Sequence, residues 1–76
     1  MAADPLQRIV VNPELRFGKP SVRGTRITVG EVLGFLAGGA AEAELLRSYP
    51  QLTHEDVLAC FAYAAERERR TLAVPA

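Results

Sequence analysis

The sequence predicts a mainly helical fold: three helices around one small core, preceded by a short extended ribbon. Three observations predict it. Thr28-Val29-Gly30-Glu31 and Thr53-His54-Glu55-Asp56 each place a hydroxyl three residues before an acid, the pattern that caps a helix start, and each opens an apolar segment of helical period. Gly18, Pro20 and Gly24 crowd the stretch before Thr28 too closely for a helix. Finally, 76 residues with 49% hydrophobic and 24% charged content make one globular domain. A chain of that size buries roughly 60% of its extended-state surface, enough for one modest core.

The elements follow in order. Met1 to Gln7 is a polar start containing Pro5 and is expected to fray as a flexible arm. Arg8-Ile9-Val10-Val11 is β-branched and reads as a brief strand, stopped by the turn pair Asn12-Pro13. From Leu15 to Ile27 the spacing predicts tight turns with two extended pieces, Ser21-Val22-Arg23 and Arg26-Ile27-Thr28. The first helix starts after Thr28, puts Val29, Val32, Leu33 and Leu36 on one face with Phe35 beside them, and ends at Gly38-Gly39. The second runs from about Ala41 to Ser48, burying Ala41, Leu45 and Leu46 and stopping before Pro50. The third continues from its Thr53 cap through Val57, Leu58, Phe61, Ala62 and Ala65 to about Arg70.

Composition removes several function classes. No apolar run approaches the roughly 20 residues of a membrane span. Met1 to Gln7 carries neither the basic nor the apolar region of a secretory signal. Cys60 is the lone cysteine and cannot form an internal disulfide, so the cytoplasm is the expected compartment. One histidine and one cysteine give no soft-ligand set for structural zinc, and no cofactor is expected. His54 sits at a helix start with no Ser or Cys at triad spacing, and Glu42, Glu44, Glu55 and Asp56 read as helix-start acids that favour the dipole. Gly18-Lys19 lacks the remainder of a phosphate loop, because Pro20 stands where a hydroxyl is required. No catalytic role is expected.

The net charge is zero but unevenly spread. Residues 1–29 hold five cations against two carboxylates; residues 30–76 hold four against seven. That asymmetry suits a basic face for nucleic acid, an acidic face for a basic partner, a self-complementary dimer, or a solvated surface with no partner. The densest constellation is the run from Phe17 to Ile27, with Lys19, Arg23 and Arg26 on a glycine-bearing ribbon and Arg16 just before it. Glycine lets backbone N–H groups approach a phosphate, and Lys and Arg supply charge, so Arg16, Lys19, Arg23 and Arg26 are the candidate DNA contacts. Arg23 and Arg26 have a competing structural role, pairing with Glu31 or Glu14 to fix the ribbon on the first helix.

The third helix is apolar nearly all round from Val57 to Ala65, whereas a surface helix shows one apolar stripe. Two other helices in so short a chain cannot cover every side. Val57, Leu58, Phe61, Ala62 and Ala65 are therefore the candidate interface of a two-fold homodimer. The competing reading is that its small residues need no cover. The second and third helices, with Tyr49-Pro50-Gln51-Leu52 between them, have the lengths and turn of a helix-turn-helix. The end that meets bases in such a motif is here His54-Glu55-Asp56, whose carboxylates repel phosphate.

Taken together, Ile9-Val10-Val11-Asn12-Pro13, the block Gly18-Lys19-Pro20-Ser21-Val22-Arg23-Gly24-Thr25-Arg26-Ile27-Thr28-Val29, Gly38-Gly39 and Tyr49-Pro50-Gln51-Leu52-Thr53 resemble the domain of unknown function 433 family, small bacterial and archaeal VapB-like antitoxins. The resemblance covers about residues 8–66, with the block from Gly18 to Val29 its specific part. It implies a homeodomain-like helix-turn-helix core preceded by short strands. It also implies a homodimer, encoded beside a PIN-like ribonuclease toxin that it binds and silences, and operator DNA as a further partner of the class. Ala40-Ala41 stand where family members frequently carry Ser or Thr, which weakens the second helix's cap.

In that setting Thr71 to Ala76 is an apolar tail suited to ordering on a toxin. Arg67, Arg69, Arg70, Leu72 and Val74 are the candidate toxin contacts, the arginines directed at an acidic nuclease site; a frayed terminus is the alternative. The expected organisation is an arm over 1–7, one antitoxin-like domain over 8–70 and a tail over 71–76. The expected function is toxin neutralisation with possible operon autorepression. The alternatives are a stand-alone dimeric DNA-binding regulator, or an accessory subunit of another small complex.

Overall fold

A computed structural model of the chain describes residues 4–70. Within them lie a two-stranded antiparallel sheet, β1 (Ile9–Val10) and β2 (Ser21–Val22), and three helices, α1 (Val29–Ala37), α2 (Glu42–Ser48) and α3 (His54–Arg70). Two 3-10 turns, Pro5–Arg8 and Arg16–Gly18, flank β1. The mainly helical prediction, with an N-terminal ribbon, describes this arrangement.

The strands are shorter than the sequence suggests. Ile9 pairs with Val22 and Val10 with Ser21; Ser21 also bridges Thr28. The pairing stops because Val22 to Thr25 closes a turn. The Thr25 N–H donates to the Val22 carbonyl at 3.0 Å, with Gly24 at φ +80°, the left-handed value a type II turn needs at its third residue. Thr25 Oγ1 then donates to the Val22 carbonyl and accepts from the Ile27 N–H, so one hydroxyl sets the whole corner.

Thr28 opens α1 with a complete capping box: its Oγ1 accepts from the Glu31 N–H, and Glu31 Oε1 accepts from the Thr28 N–H. Gly39 closes the helix at φ +99°. Ala41 holds the N-cap position of α2 with no side-chain bond. It is exposed, which corrects its expected burial: an N-cap residue lies outside the helical stripe that faces the core. Thr53 caps α3, its Oγ1 accepting from the Asp56 N–H while Asp56 Oδ2 accepts from the Thr53 N–H.

Val22, Ile27, Val29, Val32, Leu45, Leu52, Val57 and Cys60 form the core, with Ile9, Leu33, Phe35, Leu36, Leu46, Tyr49 and Tyr63 packed around it. Phe35 and Tyr49 meet edge to face at 6.1 Å, joining α1 to the turn after α2.

The arm expected over 1–7 folds from its fourth residue onward. Asp4 Oδ1 accepts from the Leu6 N–H, Pro5 presets the first 3-10 residue, and the turn packs on α3. Helix counting omits this turn, and Ala59, like Val57 and Cys60, is fully buried within the single chain.

Candidate functional site

Val57 leaves the expected dimer face, since it lies in the core. What remains outward on α3 is Leu58 and Phe61, each 46% exposed, with Ala62 half-buried and Ala65 exposed. Their spacing of three and four residues makes them one stripe along the helix. Partial cover by neighbouring elements, rather than none, is what the all-round apolar pattern reflects.

The basic turn is built differently from its expected pairing. Arg16, not Arg23 or Arg26, is the clamp: its Nη1 donates to the Arg26 carbonyl at 2.9 Å and to Glu31 Oε1 at 3.1 Å. Arg23 is also held, its Nε donating to the Gln7 carbonyl at 2.9 Å. Lys19 and Arg26 direct no side-chain ion pair or hydrogen bond to any other described residue. Glu31 ties the region together. Its Oε1 accepts from the Thr28 backbone, the Thr28 hydroxyl and Arg16, and these bonds, led by the backbone one, hold its carboxyl below the usual range.

Arg16 and Phe17 both adopt left-handed backbone, at φ +50° and +59°, before Gly18 at +80°. Such residues cost of order 1–3 kcal/mol each when not glycine, and persist only where surrounding bonds fix them. Here the Arg16 clamp does so. The result is a phenyl ring 97% exposed, held away from the chain's own core.

Beside this turn runs a groove of about 660 Å³ between α1 and the second half of α3. Arg16, Lys19 and Pro20 wall one side; Leu33, Tyr63 and Ala64 contribute apolar lining. The fold thus brings the basic turn and Arg67, at the far end of the sequence, to the same groove. Arg67 lies 6.0 Å from the Tyr63 ring. Arg69 and Arg70 both bind Glu66, at 3.0 and 3.3 Å, and lower its proton affinity. Leu72 and Val74 lie outside the described residues.

Glu55 and Asp56 stand in the first turn of α3, as the helix-start reading expects. Asp56 is buried, capping the helix and pairing with Arg8. His54 Nδ1 lies 2.8 Å from Glu42 Oε2, linking the starts of α2 and α3. Cys60 is buried as expected, and burial pushes its thiol up to about 11. No group of three or more metal-type ligands occurs among the described residues. No helix among them is long and apolar enough to cross a membrane.

Sequence reasoning passed over Phe17, Glu31 and Tyr63 as site residues. The Glu31 capping pattern was visible, but its pairing with Arg16 needed the turn's geometry.

Residues 9–64 match the family described as protein of unknown function (DUF433). The chain is also similar to the crystal structure of a DUF433 member protein from Anabaena variabilis ATCC 29413, with TM-score 0.77 and 33% identity. The match covers 83% of this chain and 62% of that one, so the chain spans under two thirds of its relative's length. No curated protein matches the chain.

Proposed function

The chain belongs to the DUF433 family, and from that premise we propose that it is a cytoplasmic, VapB-like antitoxin: a non-catalytic homodimer that binds and silences a PIN-like ribonuclease encoded beside it. The observation that carries this reading is the outward apolar stripe on α3. Leu58 and Phe61 stand half exposed one turn apart on α3, and an apolar stripe of this kind suits a protein–protein surface. Leu58, Phe61, Ala62 and Ala65 form the dimer contact. Arg67, Arg69 and Arg70 lie at the end of the same helix, where they suit a cluster of nuclease carboxylates. Leu72 and Val74 extend that contact.

In this reading α2, the turn at Tyr49–Thr53 and α3 are a homeodomain-like helix-turn-helix used mainly as an assembly frame. Co-expression with the nuclease of the neighbouring gene tests the proposal. Growth arrest relieved by the chain supports it; arrest that persists at full expression removes it.

A second reading, a DNA-binding regulator acting on its own operon, is favoured by one observation. Lys19 and Arg26 make no side-chain ion pair or hydrogen bond with another described residue, which leaves them available to phosphate. The buried Asp56 also removes one of the acids that would repel DNA at α3. Gel shifts over the chain's own promoter at stated salt decide it. Binding that survives Lys19→Ala with Arg26→Ala excludes the site.

A further inference from the structure

We propose that Phe17, Lys19 and Arg26 form a site for single-stranded nucleic acid, in which an unpaired base stacks on the Phe17 ring and the flanking phosphates meet the two cations. This goes beyond the readings above, since neither the α3 dimer face nor duplex operator binding uses the ring.

The ring is 97% exposed on two consecutive left-handed residues, and the Arg16 bonds to the Arg26 carbonyl and Glu31 fix that backbone. Such conformations persist only where their surroundings enforce them. Here the enforcement presents an aromatic face that its own chain leaves open, and a pre-placed ring loses little freedom on meeting a flat partner. The charge around it has one sign. From Leu15 to Gly30 the sequence carries Arg16, Lys19, Arg23 and Arg26 and no carboxylate. The bond from Arg16 to Arg26 ties the ends of this segment together, so cations ten positions apart share one turn. Glu14 and Glu31 bound the segment, and Glu31 is already occupied by Thr28 and Arg16. Lys19 and Arg26 make no side-chain ion pair or hydrogen bond with another described residue.

A path leads away from the ring. Lys19 also walls the groove between α1 and α3, where Arg67 stands 6.0 Å from the Tyr63 ring. A strand passing Lys19 therefore meets a second aromatic and a further cation; the acids of that lining are the occupied Glu31 and Glu68. Aromatic platforms beside a cation-bearing groove are the composition that holds single strands with little regard to sequence. A duplex keeps its bases stacked on one another and offers the ring none. An unpaired strand offers a π-face and a phosphate at every nucleotide. A protein pocket for the same ring would have to place acids opposite both Lys19 and Arg26.

Fluorescence anisotropy at stated salt tests this with four labelled probes of about 12 nucleotides: oligothymidylate, oligouridylate, an abasic strand with the same phosphates, and a matched duplex. The full chain is compared with Phe17→Leu, Phe17→Trp and the double variant Lys19→Ala with Arg26→Ala, each checked for folding by circular dichroism. The parent is expected to bind a base-bearing single strand about 10-fold or more tighter than the abasic one. Phe17→Leu keeps apolar bulk but no π-face and is expected to abolish that preference; Phe17→Trp retains it. The double variant is expected to weaken every single-strand probe and to flatten the salt dependence. The thymidylate and uridylate arms separate DNA from RNA as the source of the strand. Equal affinity for abasic and base-bearing strands, or Phe17→Leu indistinguishable from the parent, overturns the stacking site. An unaffected double variant overturns the phosphate contacts. Duplex binding that exceeds single-strand binding in both the parent and Phe17→Leu also overturns the proposal and returns Lys19 and Arg26 to the operator reading. Polyglutamate bound as tightly as the oligonucleotides, and weakened equally by Phe17→Leu, overturns it in favour of an acidic protein partner. None of these failures touches the antitoxin reading, which does not use the ring and keeps its own co-expression test.

Discussion

Arg8 and Asp56, 48 positions apart, meet as an ion pair with Nη1 3.0 Å from Oδ1. The other oxygen of the same carboxylate accepts from the Thr53 N–H at 2.9 Å. One buried side chain therefore starts α3 and straps the N-terminal 3-10 turn across it. The first turn of the chain, which composition marks as a loose arm, packs against α3.

Asp56→Ala removes the strap and half of the cap together, leaving a donor unpaired near the core. It is expected to cost about 2–4 kcal/mol. Arg8→Ala removes only a partner whose side chain is 46% exposed, and is expected to cost under about 1 kcal/mol. Urea unfolding of both variants measures the difference; equal losses contradict the double role of Asp56.

Glu31 gives the domain an acid-sensitive joint. Its carboxyl titrates lower in the folded chain than in the unfolded one, chiefly through the Thr28 backbone bond. Its contribution is therefore fully present above the ordinary glutamate value and is lost as pH falls from about 4.3 through the lower folded value. The side chain is 37% exposed, so solvent screening limits the effect to about 1 kcal/mol. Melting temperatures across that interval are expected to fall less steeply for Glu31→Gln than for the parent. Parallel curves contradict the assignment.

Ala41 caps α2 without any side-chain bond, at a backbone conformation of φ −79° and ψ 157° that an N-cap hydroxyl fits. Ala41→Ser is expected to stabilise the chain by roughly 0.5–1 kcal/mol. Thermal unfolding checks it, and a lowered midpoint contradicts the N-cap reading.

Phe61→Ser separates folding from association. Because the ring is 46% exposed, the isolated chain is expected to lose no more than about 1–2 kcal/mol. A buried phenylalanine cut back this far costs roughly 3–5 kcal/mol. A loss in that larger range, measured on monomer at high dilution, places the ring in the core and removes it from the interface.

The helices were legible because their signals are local: a capping pattern, a 3.6 period and a terminal glycine each act within a few residues. The core residues Val32, Leu45 and Val57 follow from that periodicity. What stayed hidden depends on tertiary geometry. Nothing in Leu15-Arg16-Phe17 announces two left-handed residues, since the conformation is fixed by a guanidinium reaching a carbonyl ten positions away. The same holds for Asp56, whose helix-start position does not reveal the Arg8 that pairs with it from 48 positions away. Among the basic candidates, chemistry was readable and role was not: four similar cations divide into two clamps, Arg16 and Arg23, and two outward charges, Lys19 and Arg26.

The most direct test of an α3 face shared between two copies is the solution mass of the full chain by light scattering during size-exclusion chromatography. Twice the chain mass is expected, dropping to a single chain in folded Phe61→Ser. A well-folded parent eluting at the mass of one chain over the whole range of loading contradicts it.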